Sequence, residues 1–147
     1  MKILFVCAGN TCRSCMAEAI FNSIFADQSI IASSAGVSTI PGSKTSVNSS
    51  IVVKKNLGVD IENRCSVQLT DLQIIESDLV FTMTRSIKSY LLGKYSQYSS
   101  KIYTINEYVG VQGDVIDPYG GNVDDYIMTF SNLKNSLNLL VDKFKKL

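Results

Sequence analysis

The chain has no histidine. Proton transfer in any reaction it catalyses therefore falls to another side chain, and a carboxylate is the natural candidate. It also lacks a charge of one sign. Fourteen Lys and Arg stand against thirteen Asp and Glu for a formal +1, so there is no bulk basic field for nucleic acid or a membrane surface, and partners must be recognised locally. Long apolar runs are missing too. The first, Met1 with Ile3 to Val6, meets Arg13 soon after; it is too short for a secretory segment and far too short for a membrane span. No linker, repeat or low-complexity stretch divides the sequence, so residues 1–147 are expected to form one domain with a single core. Cysteine is scarce and unevenly placed: of four, Cys7, Cys12 and Cys15 crowd together and Cys65 stands apart. That is no disulfide framework for a domain of this size, and a cytoplasmic, reducing setting suits a reactive thiol better.

What is present alternates between strand and helix patterns. Residues 2–6 read as a buried strand, followed by a helix to about residue 27 and a second strand over 30–34 that ends in Ala35-Gly36. After a loop with Pro41 and Gly42 comes a helix over roughly 46–57 closed by Gly58, and Thr70-Asp71-Leu72-Gln73 has capping-box spacing for a short helix. Residues 78–82 form the third strand, 85–92 a helix up to Gly93, and 101–104 the fourth strand. A long last helix carries Tyr126, Phe130, Leu133, Leu137, Leu140 and Phe144 on one stripe. Strands separated by helices predict a parallel sheet with helices on both faces, whose ligands bind beyond the carboxyl ends of the strands.

Cys7 lies at such an end. The stretch Cys7-Ala8-Gly9-Asn10-Thr11-Cys12-Arg13-Ser14 joins the first strand to the first helix. Successive backbone N–H groups of such a loop converge near the positive end of the helix, where a tetrahedral oxyanion fits and where Cys7 would be held as a thiolate beside Arg13. The second chemical landmark is Asp117-Pro118-Tyr119-Gly120-Gly121, a polar turn before the last helix. Pro118 stiffens the segment after a carboxylate, so Asp117 can give a proton to a leaving group and later accept one from water.

The loop from Cys7 to Ser14 with Met16-Ala17-Glu18 behind it, Ser33-Ser34-Ala35-Gly36, Thr82-Met83-Thr84 and Asp117-Pro118-Tyr119, all in order along the chain, resembles low-molecular-weight protein tyrosine phosphatases. The resemblance implies a three-layer, flavodoxin-like four-stranded parallel sheet. It implies Cys7 as nucleophile, Arg13 as a two-pronged phosphoryl clamp, and Asp117 as general acid and then base. Ala8, Gly9, Asn10, Thr11, Cys12, Arg13 and Ser14 would hold the phosphate. Asn10 would keep the loop in shape through bonds that include Ser34, and Ser14 would bond the Cys7 thiolate. No metal or cofactor is implied; the partners would be phosphorylated proteins, acted on by a monomer.

Within that family the chain is similar to the bacterial protein-arginine phosphatases, with Thr11 where tyrosine-type members carry a larger aliphatic residue and Gly120 where they often carry a second aromatic. Thr11 and Tyr119 are thus the expected specificity residues, phosphoarginine the expected substrate, and phosphotyrosine the alternative. Cys12 is the expected redox partner of Cys7. Cys15 departs from the family, replacing the usual Pro after the loop Ser. Three rivals follow from the same residues. Cys7, Cys12, Cys15 and Cys65 also have the spacing of plant-type iron–sulfur ligands. An arsenate reductase would need two further cysteines near the end of the third strand, and residues 82–93 contain none. The third rival is a catalytically silent phosphopeptide-binding module.

Overall fold

The first strand, β1 (Lys2–Cys7), is buried at every position after Lys2. A strand covered on both faces needs apolar side chains throughout, which Ile3, Leu4, Phe5 and Val6 supply. The computed structural model describes Met1–Leu147 and sets β1 beside β2 (Ile31–Gly36) and β3 (Leu79–Thr82), with β4 (Ile102–Thr104) at the far edge. The order is β2-β1-β3-β4 and every pairing is parallel, with Cys7 opposite Gly36 and Val6 opposite Thr82. The helices are α1 (Arg13–Ile24), α2 (Val47–Leu57), α3 (Asp71–Glu76), α4 (Arg85–Lys94), α5 (Ile105–Val109) and α6 (Val123–Lys145).

Alternation along β1 decides which helices cover which face. Ile3 and Phe5 point to the side of α1 and α6, joining Phe21, Phe81, Leu133, Leu137 and Leu140. Leu4 and Val6 point to the side of α3 and α4, joining Ile74, Val80, Ile87 and Leu91. The result is the three-layer sandwich that the alternating pattern predicts. Phe5 lies at its middle, its ring centroid 5.9 Å from Phe81 and 6.3 Å from Phe21. Because β2 and β3 flank β1, the crevice that receives ligands in such sheets opens at the carboxyl end of β1, immediately after Cys7.

The elements differ from expectation in four places. Helix α1 stops at Ile24 rather than near residue 27, since Phe25 turns extended and stacks on Phe21 at 5.3 Å. Helix α4 runs through Gly93 to Lys94, so this glycine is not a terminator. A 3₁₀ segment over Ser96–Lys101 and the short α5 were not expected. The second had a legible start: Thr104 accepts from the Glu107 N–H at 3.0 Å, and Thr104-Ile105-Asn106-Glu107 has capping-box spacing.

One glycine fixes where β2 ends relative to the loop after β1. A Cβ on Gly36 would stand 2.7 Å from the Ala8 carbonyl oxygen and 2.9 Å from the Asn10 nitrogen. Gly36→Ala is therefore expected to push the loop outward, lowering stability by about 1–3 kcal/mol, as overpacking does, and weakening inhibition by inorganic phosphate. Thermal unfolding and phosphate inhibition constants of the variant check both effects.

Candidate active site

Five of the six α-helices begin with a side-chain cap: Ser46, Thr70, Thr84, Thr104 and Asn122 each accept from a backbone N–H of the first turn. Helix α1 has none, because its N-cap position is Cys12. Its first N–H groups stay unclaimed by side chains, at the positive end of a twelve-residue helix. An oxyanion held there completes the helix as a cap would.

The loop's shape depends on Asn10, the one non-glycine residue of the chain with positive φ (57°). Its side chain is fully buried and its amide is saturated. The oxygen accepts from the Val67 N–H at 2.8 Å and from Arg64 at 3.0 Å. The nitrogen donates to Ser14 Oγ at 2.7 Å and to Ser34 Oγ at 3.0 Å. Since Arg64 and the backbone N–H can only donate, the amide's orientation is dictated. Ser14, already receiving from Asn10, is left to turn its own hydrogen to Cys7 Sγ, 2.8 Å away. The Asn10 N–H also reaches that sulfur at 3.2 Å. Two donors thus converge on the Cys7 sulfur.

Behind the loop stands a cation the sequence did not flag. Arg64 bonds Asn10, donates to Ser34 Oγ at 2.6 Å, and pairs with Glu18 at 3.3 Å; Ser34 in turn donates to Glu18 at 2.9 Å. Glu18 belongs to the motif after the loop and was legible only as part of that motif. Arg64 sits fifty-four residues from Asn10 in an unremarkable polar stretch, so no local pattern could have marked it.

Asp117 and Arg13 meet on the open side. One guanidinium nitrogen of Arg13 donates to the Val115 carbonyl at 3.1 Å, and the other terminal nitrogen lies 3.5 Å from Asp117 Oδ2. The Arg13 side chain is buried while that of Asp117 is half exposed, so the carboxylate faces the entrance and the cation the interior. Asp117 Oδ1 accepts from the Tyr119 N–H at 3.0 Å, which fixes the turn that the Pro118 and glycine residues predict. Together they bound a cleft of about 430 Å³ lined by Cys7, Ala8, Gly9, Thr11, Cys12, Arg13, Asp117 and Tyr119. Ser38, Ile40, Ser43, Lys44 and Ser46 complete the lining, none of them picked out by sequence; the N–H groups of Ser38 and Ser46 are tied to the loop, donating to the Ala8 and Thr11 carbonyls at 3.0 Å. Asn10, Ser14 and Ser34 do not line the cleft; they brace it from below.

The remaining cysteines divide by environment. Cys12 Sγ lies 3.5 Å from both Ser46 Oγ and the Tyr126 hydroxyl. Burial, then the contact with Cys12, pushes the Tyr126 phenol up to about 12, so it keeps its proton at neutral pH. Cys15 Sγ donates to the Cys12 carbonyl at 3.1 Å, and burial first, with Cys7 second, drives its thiol well above the ordinary range. Cys65 is exposed. No three of the Cys, Asp and Glu side chains gather as a metal site requires, so the four thiols with iron–sulfur spacing are not assembled around one point.

The family model for low molecular weight phosphotyrosine protein phosphatase matches residues 2–147. The chain is 38% identical to a protein-arginine-phosphatase of Bacillus subtilis, over 99% of this chain and 98% of that one. It is 35% identical to the low molecular weight protein-tyrosine-phosphatase PtpB of Staphylococcus epidermidis, over 99% and 97%. Among solved structures, a Cys-to-Ser mutant of the YwlE arginine phosphatase, with a phosphorylated active-site serine, superposes with a TM-score of 0.92 to 0.93 alongside a second YwlE mutant from Bacillus subtilis; both are 36% identical and cover 99% of this chain, which covers 97% and 99% of theirs. With a family match over nearly its whole length and relatives above 30% identity over theirs, the chain belongs to the low-molecular-weight protein tyrosine phosphatase family and is a protein phosphatase of that class.

Proposed function

We propose that the chain hydrolyses phosphoarginine in proteins through a phosphocysteine intermediate. The observation that carries the choice of substrate is Thr11, whose short hydroxyl side chain lines the cleft next to Arg13. A larger aliphatic residue there would crowd the phosphorus centre; Thr leaves room and a dipole for the polar guanidino nitrogen next to it. Gly120, at φ 79° in the acid turn, leaves Tyr119 as that turn's sole aromatic at the cleft. The relatives include both arginine and tyrosine phosphatases, so the family alone does not decide between the two substrates.

The reaction follows from the geometry. Cys7 Sγ attacks phosphorus in line as the bond to the leaving nitrogen breaks, and Asp117 gives that nitrogen its proton. The remaining N–H groups of the loop and of the first turn of α1, with the outer edge of Arg13, hold the three equatorial oxygens, where charge is greatest in the transition state. Arg13 can do this because its inner nitrogen is spent on the Val115 carbonyl, leaving a two-pronged edge for the phosphoryl group. Water then attacks the phosphocysteine, Asp117 takes its proton, and the sulfur leaves as a thiolate stabilised by Ser14 and the Asn10 N–H. The YwlE mutant with a phosphorylated active-site serine supports an enzyme-bound phosphoryl intermediate for this class.

Thr11→Ile tests the substrate reading. Relative kcat/KM on phosphoarginine and phosphotyrosine peptides, measured side by side, is expected to move toward phosphotyrosine by about tenfold, the discrimination that one or two added methylenes give in a pocket; an unchanged ratio would remove the reason for choosing arginine.

Asp117→Asn is expected to slow the chemical step by about 10²–10⁴-fold on esters with poor leaving groups, and far less on those whose leaving group departs unprotonated. An equal loss across leaving groups would show that the proton comes from elsewhere.

Cys12 is the resolving thiol of a protective disulfide. Peroxide takes Cys7 to the sulfenic acid with release of water; the Cys12 thiolate then displaces hydroxide from that sulfur, which leaves as water after protonation. Both thiols line the same cleft, whereas Cys15 is protonated, buried and turned to the Cys12 carbonyl. Peptide mapping after mild peroxide should find Cys7 joined to Cys12, with activity restored by dithiothreitol, and Cys12→Ser should lose activity irreversibly under the same treatment.

A further inference from the structure

Away from the nucleophile, buried hydroxyls such as Ser50, Ser77, Thr82 and Thr104 bond backbone groups within four residues, as caps and turns do. Three buried polar side chains on the α5–α6 side do not: Asn106 on α5, and Thr129 and Ser136 on α6, with 6%, 4% and 2% exposure. They share their surroundings with Phe130, Leu133, Leu137 and Leu140. Polar groups in such an interface are destabilising unless their bonds serve a purpose. Here every one of those bonds leads to the same segment. Asn106 Nδ2 donates to the Gly113 carbonyl at 3.0 Å, and its Oδ1 is held by the Ser136 hydroxyl at 2.8 Å. A helical threonine ordinarily returns its hydroxyl to the carbonyl one turn back. Thr129 instead donates to the Ile116 carbonyl at 3.3 Å, immediately before Asp117.

The segment so held runs from Gly110 to Asn122 with no regular structure, and Gly110 and Gly113 lie at φ 79° and 82°. Without ties it would be free to drift. Its other upstream anchors are the Val111 N–H, which donates to the Asn106 carbonyl at 2.9 Å, Asp114, which accepts from the Arg85 N–H at 2.9 Å, and Val115, whose N–H donates to the Met83 carbonyl at 2.9 Å and whose carbonyl accepts from Arg13 at 3.1 Å. We propose that Asn106, oriented by Ser136, and Thr129 are positioning residues for the general acid: they hold the backbone on which Asp117 is carried, from the side of the molecule away from substrate. None of them lines the cleft. The inference rests on Asp117 being the proton donor and adds what keeps it in place. An acid displaced by about 1 Å loses much of its effect, and proton delivery should suffer while phosphate binding does not: the loop rests on the Asn10 network, and Val115, which Arg13 holds, keeps its own tie to Met83.

The test uses Asn106→Leu and Thr129→Val in the full chain, assayed on phenyl phosphate and on 2,4-dinitrophenyl phosphate, with inhibition by inorganic phosphate read in parallel. The expected result is a fall in kcat of about tenfold or more on phenyl phosphate, little change on the dinitrophenyl ester, and an unchanged phosphate inhibition constant. Thr129→Ser should restore the phenyl phosphate rate, and neither variant should slow Asp117→Asn further. Equal losses on both esters, no loss on either, or losses that add to that of Asp117→Asn would overturn the proposal. If Asn106→Leu does not fold, Thr129→Val and Ser136→Ala carry the same comparison. Should Asp117→Asn itself show no dependence on leaving group, the general-acid reading falls and this one with it; dependence in Asp117→Asn but not in the positioning variants sinks this inference alone.

Discussion

Everything at the active site hangs on one residue in an unfavourable conformation. Asn10 sits at φ 57°, a region that a non-glycine residue enters at a cost of order 1–3 kcal/mol. Four hydrogen bonds converge on its amide, and at about 0.5–1.5 kcal/mol each, more for the one from the Arg64 cation, they outweigh the strain. Glycine would adopt the same backbone freely but could not bond Ser14 or Ser34. The asparagine is therefore doing two jobs at once: it bends the loop so that its N–H groups converge, and it passes the polarity imposed by Arg64 through Ser14 to the sulfur of Cys7.

This dependence explains where the polar residues of the core are found. Along β1 the sheet is apolar on both faces, with Phe5 and Phe81 at its middle, and its buried hydroxyls, Ser34, Thr82 and Thr104, lie toward the carboxyl ends of β2, β3 and β4. Of the buried polar groups, those that serve only local caps and turns, such as Ser50, Ser77 and Thr104, stand apart from two networks that reach across the chain, one beneath the loop of Cys7 and one behind the segment that carries Asp117. Such networks are rigid when fully satisfied, and no buried side-chain nitrogen or oxygen here lacks a partner. The molecule thus has a forgiving apolar frame and two exacting polar ones, each attached to one half of the chemistry.

How much of this was legible follows from the range over which each interaction acts. Strands and helices were legible because they depend on periodicity and caps close in sequence, and the misjudged ends, Ile24 and Gly93, are where tertiary contact or open space overrode a local cue. The nucleophile loop was legible because strand, loop and helix are contiguous. The carboxylate turn could be found by its Pro and Gly residues, though only the family pattern joined it to Cys7. Arg64, Thr129 and Ser136 were invisible, since each acts through bonds to residues between thirteen and fifty-four positions away and none belongs to a motif; Asn106 stood in the capping stretch of α5, but nothing local marked its side chain's bonds to Gly113 and Ser136. Ile40 and Lys44 also line the cleft and belong to no motif.

Arg13 is the point where the two halves meet. Its place in the first turn of α1 sets it beside the phosphate loop, yet its guanidinium is fastened to the other half, through the Val115 carbonyl and the carboxylate of Asp117. Val115 is in turn tied to Met83 just beyond β3, and the Met83 N–H donates to the Val6 carbonyl of β1 at 3.0 Å, so the clamp is braced by the central sheet through a chain of three bonds and does not wait for a ligand to order it. A side chain as flexible as arginine would otherwise surrender rotamer freedom at every binding event. Fixing it beforehand moves that loss into folding, where the core can offset it, and leaves the binding energy of the phosphoryl group for the transition state. The same ties make the distance between clamp and acid a property of the fold, set by where β1 and β3 end side by side.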